Sequence, residues 1–106
     1  MPLHPKDSIA VIFCAQRTGV DEEAYQVAAA AMSELAARQP GYLDENHARS
    51  ADGFGITVSY WSDDASARAW RDHPDHVRIR DQGRNKWYRA YSLHVTRVER
   101  SYDWQK

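Results

Sequence analysis

The chain carries one cysteine, Cys14, in 106 residues. An intrachain disulfide is thereby excluded, and so is a zinc cluster built on cysteines. The surrounding I-F-C-A reads as a strand, where a buried and inert thiol is expected. Long apolar runs are missing too: none approaches the ~20 residues of a membrane span. The amino-terminal M-P-L-H-P-K-D lacks the apolar stretch of a signal peptide. A cytoplasmic protein that does not engage a membrane is expected. Nor does one sign of charge dominate. The 14 Lys and Arg are interspersed with 15 Asp and Glu, for a net charge of −1. No basic stripe marks a nucleic-acid surface, so no nucleic-acid partner is expected. Repeats, low-complexity tracts and linkers are absent.

Aromatic and aliphatic residues are plentiful. Apolar residues reach 42%, with four Trp and six Tyr, which suits a globular core. The length fits a single domain over residues 1–106. Residues 8–16, S-I-A-V-I-F-C-A-Q, are apolar on both parities, as in a strand covered on both faces. Asp21 is placed to cap a helix, with Glu22 and Glu23 in its first turn. Ala24, Val27, Ala28, Ala31 and Leu35 then form an apolar stripe to about residue 38, and the alanines imply close packing on a sheet. Pro40-Gly41 stops that helix. Residues 42–49 read as a polar strand, 51–53 as a turn, and 54–61, F-G-I-T-V-S-Y-W, as a returning strand. Ser62-Asp63-Asp64 opens a helix that ends near His73, since Pro74 cannot continue it. A further helix starts at Pro74–Asp75 and runs to Trp87. A final strand pattern occupies residues 88–104.

The order β-α-β-β-α-(α)-β is that of an α+β, ferredoxin-like fold, a four-stranded antiparallel sheet with helices on one face. The first strand is apolar on both faces, so the bare face needs a cover. A second copy supplies it most economically, and a symmetric homodimer is expected. Tyr102 and Trp104, too large and apolar for a free tail, are expected to dock on that second copy.

Four stretches now resemble one family. They are Q-P-G-Y-L (39–43), G-F-G-I-T-V-S-Y-W (53–61) with Trp70 nine residues beyond it, H-P-D-H (73–76), and the terminal W-Y-R-A-Y…V-E-R-S-Y-D-W (87–104). In this order they are similar to the antibiotic biosynthesis monooxygenase domain of the dimeric α+β barrel superfamily. The resemblance implies a dimer with a ligand cavity between each protomer's helices and sheet. Members include cofactor-free monooxygenases of aromatic polyketides such as anthrones, haem-degrading monooxygenases and small isomerases.

The resemblance also implies a role for Trp70, which would line the pocket; the generic alternative is a core tryptophan packing helix on sheet. His76 falls where an anthrone-oxidising relative has a pocket tyrosine, and it could be a polar contact or a general base. With Arg80, Gly83 and Trp87 it shares one helix face. Haem-degrading relatives ligate iron with a histidine ten residues after the tryptophan, and here that position is Arg80. Where they carry an asparagine before an arginine, this chain has Gln16 before Arg17. Both departures weigh against haem, although His76 lies one turn before Arg80. His73 and His76 make a poor zinc pair, with Pro74 between them and no third ligand in register. The activity that the resemblance implies is oxidation of a small aromatic or quinone-like molecule by O2, with no metal and no cofactor. Trp70 would wall the cavity, and His76 and Arg80 would supply its polar groups. A non-catalytic dimeric small-molecule binder is the alternative, and a haem-degrading monooxygenase the next.

Overall fold

The apolar strand β1 (Ile9–Arg17) sits inside the sheet, where both of its faces can be covered. A computed structural model describes residues 4–106. After β1 come α1 (Glu22–Ala36), β2 (Tyr42–Arg49), β3 (Phe54–Trp61), α2 (Asp64–Arg71) and α3 (Pro74–Gln82). A π-helical turn (Gly83–Trp87) then leads into β4 (Tyr88–Arg97). The four strands run antiparallel in the order β2-β3-β1-β4, the ferredoxin-like arrangement.

Register decides which residues share a face. Ile9 lies opposite Trp61, Val11 opposite Ser59 and Val95, and Phe13 opposite Thr57 and Leu93. Ile9 and Trp61 pack with Ala36 of α1 and with Ala67 and Trp70 of α2, so this is the face under the helices. Among the described residues, Trp61 is the one large side chain removed from solvent altogether. Burying an indole of that size is worth several kcal/mol, on the order of the 3–5 kcal/mol lost when a core aromatic is cut to alanine. The other face presents Ile12, Cys14, Phe54, Ile56 and Val58. No helix covers them, and Phe54 and Ile56 are about 40% exposed. Among the described residues, one end of this face is occupied, where His4 stacks on Tyr60 at 3.7 Å and its Nε2 lies 3.4 Å from Asp44.

Local chemistry sets most of the element ends. Asp63 caps α2 by accepting from the Ser66 backbone N–H at 2.7 Å. His73 caps α3 through Nδ1, which accepts from the Asp75 N–H at 3.2 Å, with Pro74 in the first turn. Four features depart from the sequence-based expectations. Asp21 does not cap α1: its backbone is left-handed, and its carboxylate pairs with Lys86 at 3.0 Å instead. α1 is also rotated, burying Tyr25 and Ala36 while Val27 and Ala31 stand exposed. An aromatic at position 25 gains more by burial than the smaller residues of the expected stripe. α3 gives way to the π turn at Gly83, where the Tyr88 N–H reaches the Gly83 carbonyl. A Cβ on Gly83 would lie 2.7 Å from the Tyr88 ring, so only glycine permits that approach. Finally, β4 ends at Arg97, leaving Tyr102 and Trp104 outside it and exposed.

Gly41 offers a test of this packing. Its φ is +83°, and a Cβ there would collide with the Ser66 side chain. Gly19 has the same φ but open space around it. Gly41→Ala is expected to lower the unfolding free energy in urea by about 2 kcal/mol or more, and Gly19→Ala by only about 1 kcal/mol. Equal losses would show that the collision is relieved at no cost.

Candidate functional site

The rings of Trp61, Trp70 and His76 form one column from the sheet out to α3. Trp61 and Trp70 stack with centroids 6.3 Å apart and planes 23° from parallel. Trp70 and His76 stack more tightly, at 4.6 Å and 8°. The spacing of Trp70 on α2 and His76 early on α3 allows this because the Pro74 break turns the chain back between them. Both faces of the Trp70 indole are thereby occupied by protein. Its remaining surface lines a hollow of about 250 Å³ together with Gln39, Pro40, Asp63 and Ser66.

His76 is fixed at both ring and nitrogen. Its Nδ1 lies 3.0 Å from the Trp70 carbonyl. A carbonyl can only accept, so Nδ1 carries the proton and the neutral ring keeps a lone pair on Nε2. Burial lowers the His76 pKa below its ordinary value, and the charges of Arg80 and His73 push the same way. The Trp70 carbonyl opposes them by stabilising the protonated ring. The result is a neutral imidazole of defined tautomer, which is the form a base requires.

Arg80 follows one turn later, with its side chain 35% exposed. Its Nε lies 3.6 Å from Asp81, too far for a hydrogen bond, and has no acceptor among the described residues. The indole Nε1 of Trp87 is in the same condition. Leaving such a donor buried and unmatched costs about 1–3 kcal/mol. Trp87 forms part of a groove of about 480 Å³ between α1 and the end of α3, with Ala24, Val27, Ala28, Ala31 and Gln82. His76 and Arg80 line neither this groove nor the hollow beside Trp70.

A second cluster lies where β1 ends. Tyr25 packs edge-on to Trp87 and Tyr88, at 5.6 and 5.9 Å. Arg49 donates to the Tyr25 hydroxyl at 3.2 Å, and the Arg17 guanidinium sits 4.9 Å over its ring. Arg17 also pairs with Glu22 at 3.0 Å, which holds that carboxyl below its ordinary range. Burial, reinforced by Tyr25, pushes the Tyr88 phenol far up, so it stays neutral. Phe13 meets Tyr88 and Tyr91 at 5.5 and 5.2 Å.

The structure therefore brings Trp70 and His76 together and sets Arg80 beside them, the three residues singled out in the sequence. The sequence missed the Trp70 carbonyl as partner of His76, the Tyr25 cluster and the unmatched indole of Trp87. For the first, the break at Pro74 between Trp70 and His76 was the available signal. For the others there was none, because they depend on residues far apart in the chain. Among the described residues, no three His, Cys, Asp or Glu gather as a metal site, and no helix is long and apolar enough to cross a membrane.

Fold and ring column together define an α+β, ferredoxin-like protein with its candidate site under the short helices. The antibiotic biosynthesis monooxygenase family pattern matches residues 9–82, and the chain belongs to that family. Uncharacterized protein YqjZ of Bacillus subtilis (strain 168) is 42% identical over 91 residues, 86% of this chain and 79% of that one. Two solved structures share the fold at 16% identity. SnoaB, a cofactor-independent oxygenase from Streptomyces nogalater, superposes with a TM-score of 0.76 over 90% of this chain and 96% of its own. Rv0793 from Mycobacterium tuberculosis gives 0.79 over 91% and 99%.

The lowered His76 pKa has a consequence for stability. The unfolded chain takes up the histidine proton near pH 6.5, while the folded chain resists doing so. Stability then falls as pH drops through that value, and this contribution is absent at higher pH. His76→Phe, which can keep the stack on Trp70, is expected to flatten the decline between pH 7.5 and 5.5 relative to wild type in urea titrations. Parallel curves for the two proteins would refute the burial of a neutral ring.

Proposed function

We propose that this protein is a cofactor-independent monooxygenase that oxidises a small aromatic or quinone-like molecule with O2, working as a homodimer. One observation carries the reading: a neutral His76 ring, its tautomer set by the Trp70 carbonyl, stacked on an aromatic wall with Arg80 beside it. Family membership supports it, and so does the shared fold of an oxygenase described as cofactor-independent.

His76 Nε2 takes a proton from an acidic C–H of the bound substrate, leaving a carbanion delocalised as an enolate. Arg80 stabilises the oxyanion, the charge that grows as the C–H bond breaks. The electron-rich carbanion itself reduces O2, and a C–O bond forms to give a peroxide anion. The His76 imidazolium returns its proton to that anion. Loss of water from the hydroperoxide leaves a carbonyl at the former CH2, so one oxygen atom enters product and the other leaves as water. Trp70, stacked flat on the His76 ring, covers one face of the base and shields it from bulk water.

The dimer is supported by the uncovered apolar face of Ile12, Cys14, Phe54, Ile56 and Val58. A second sheet laid on it would bury these side chains and cover an apolar patch that the described residues leave exposed.

Two measurements test the reading. With a dihydroxyanthrone as substrate, wild-type protein is expected to raise O2-dependent quinone formation above the uncatalysed rate, and His76→Phe to lower kcat by on the order of 10²-fold. Equal rates with and without protein would favour a non-catalytic binder of the same molecules. Sedimentation equilibrium at micromolar concentration is expected to return a dimer, with Ile56→Asp shifting it toward monomer. A stable folded wild-type monomer would sink the dimer.

A further inference from the structure

Covering the apolar sheet face with a second copy still leaves two apolar features bare. The first is the outer edge of β4. Leu93 and Val95 pair with Phe13 and Val11, which puts them on the helix side of the sheet, yet they are 51% and 56% exposed. The helices thus leave this edge uncovered. β2, the opposite edge, is guarded by Asp44, Glu45, His47 and Arg49. β4 has no acidic residue and sets an aliphatic pair at its middle. An edge of this kind can take on a further strand.

The second feature is the arm that follows β4, residues 98–106. It has no regular structure of its own, and both Tyr102 and Trp104 stand exposed on it. Its start is held on the inner side of β4. The Asp7 N–H donates to the Val98 carbonyl at 2.8 Å, and the Val98 N–H to the Ser8 carbonyl at 2.9 Å. The Ser101 hydroxyl then donates to the His4 carbonyl at 2.7 Å, and the His4 ring stacks on Tyr60 of the uncovered face. The arm is therefore turned away from its own β4 edge. It is released at the end of the face on which a second copy would lie.

Arm and edge match in pattern. Tyr102 and Trp104 flank Asp103 just as Leu93 and Val95 flank His94. In an added strand centred there, running either way, the aromatics meet the aliphatic pair on one face. Asp103 meets His94 on the other. Stacked sheets lie about 10 Å apart and five extended residues span roughly 17 Å, so residues 102–106 can bridge the gap. We propose that two copies of this chain exchange these arms, residues 102–106 of each adding a strand to the β4 edge of the other. The inference rests on the homodimer and gives it a second, separable contact. An aromatic side chain buries about 150–250 Å², so two arms add on the order of 600–1,000 Å² to the interface.

Removing the aromatics and cross-linking the matched positions test the exchange. In sedimentation equilibrium, Tyr102→Ser with Trp104→Ser is expected to raise the dimer Kd at least about tenfold, with an unchanged far-UV spectrum. In a Cys14→Ser background, His94→Cys and Asp103→Cys proteins, mixed and oxidised, are expected to yield a disulfide-linked dimer in excess of either alone. An arm folded back on its own chain would instead close that bond within a chain carrying both substitutions. The proposal is overturned if the Tyr102 and Trp104 double variant dimerises as tightly as wild type. It is equally overturned if positions 94 and 103 link only within one chain, or not at all. A dimer broken by Ile56→Asp but indifferent to the arm would defeat the exchange alone, whereas a wild-type monomer would defeat the homodimer with it.

Discussion

Everything in this small fold is arranged around the burial of Trp61. The indole closes the strand β3, faces the helices from the sheet and, among the described residues, is the only large side chain with no solvent contact. Ile9 lies beside it across the β1–β3 pairing, Ala36 ends α1 against it, and Trp70 brings α2 onto it. A domain of this size has few side chains to spare for its core. Concentrating burial in one indole and its stack fixes how three helices sit on the sheet.

The same column carries the chemistry. Trp70 is core on one face and partner of His76 on the other, so the ring expected to wall a cavity is also what holds the base flat. The Trp70 carbonyl completes the arrangement by setting the histidine tautomer. Stability and reactivity therefore share atoms, and a change at Trp70 acts on both. The other end of the helical layer is organised differently. There Tyr25 gathers Arg17, Arg49 and Tyr88 into a polar cluster under α1, and the π turn sets Trp87 against it.

Much of the architecture was legible because its signals are local. The two-faced apolar run at 8–16, the Pro40-Gly41 stop and the Asp63 cap each act within a few residues, and each element falls where they put it. The resemblance to one family was legible in the aromatic spacing and is confirmed by the match over residues 9–82. The rotation of α1 was less legible. Two overlapping apolar stripes exist on that helix, and only contact with the sheet selects the one through Tyr25 and Ala36. Asp21 had a cap's chemistry but not its backbone, because Lys86, 65 residues away, takes its carboxylate.

By itself the sequence determined the order of elements, the class of fold and the residues with chemical potential, since periodicity, caps and breaks act through neighbours along the chain. Only the tertiary structure decided that His76 is a neutral ring with its proton on Nδ1, that Trp70 stacks with both Trp61 and His76, and that Arg80 Nε and Trp87 Nε1 find no acceptor among the described residues. Those properties come from desolvation and from partners on other elements, and both exist only once the chain has packed.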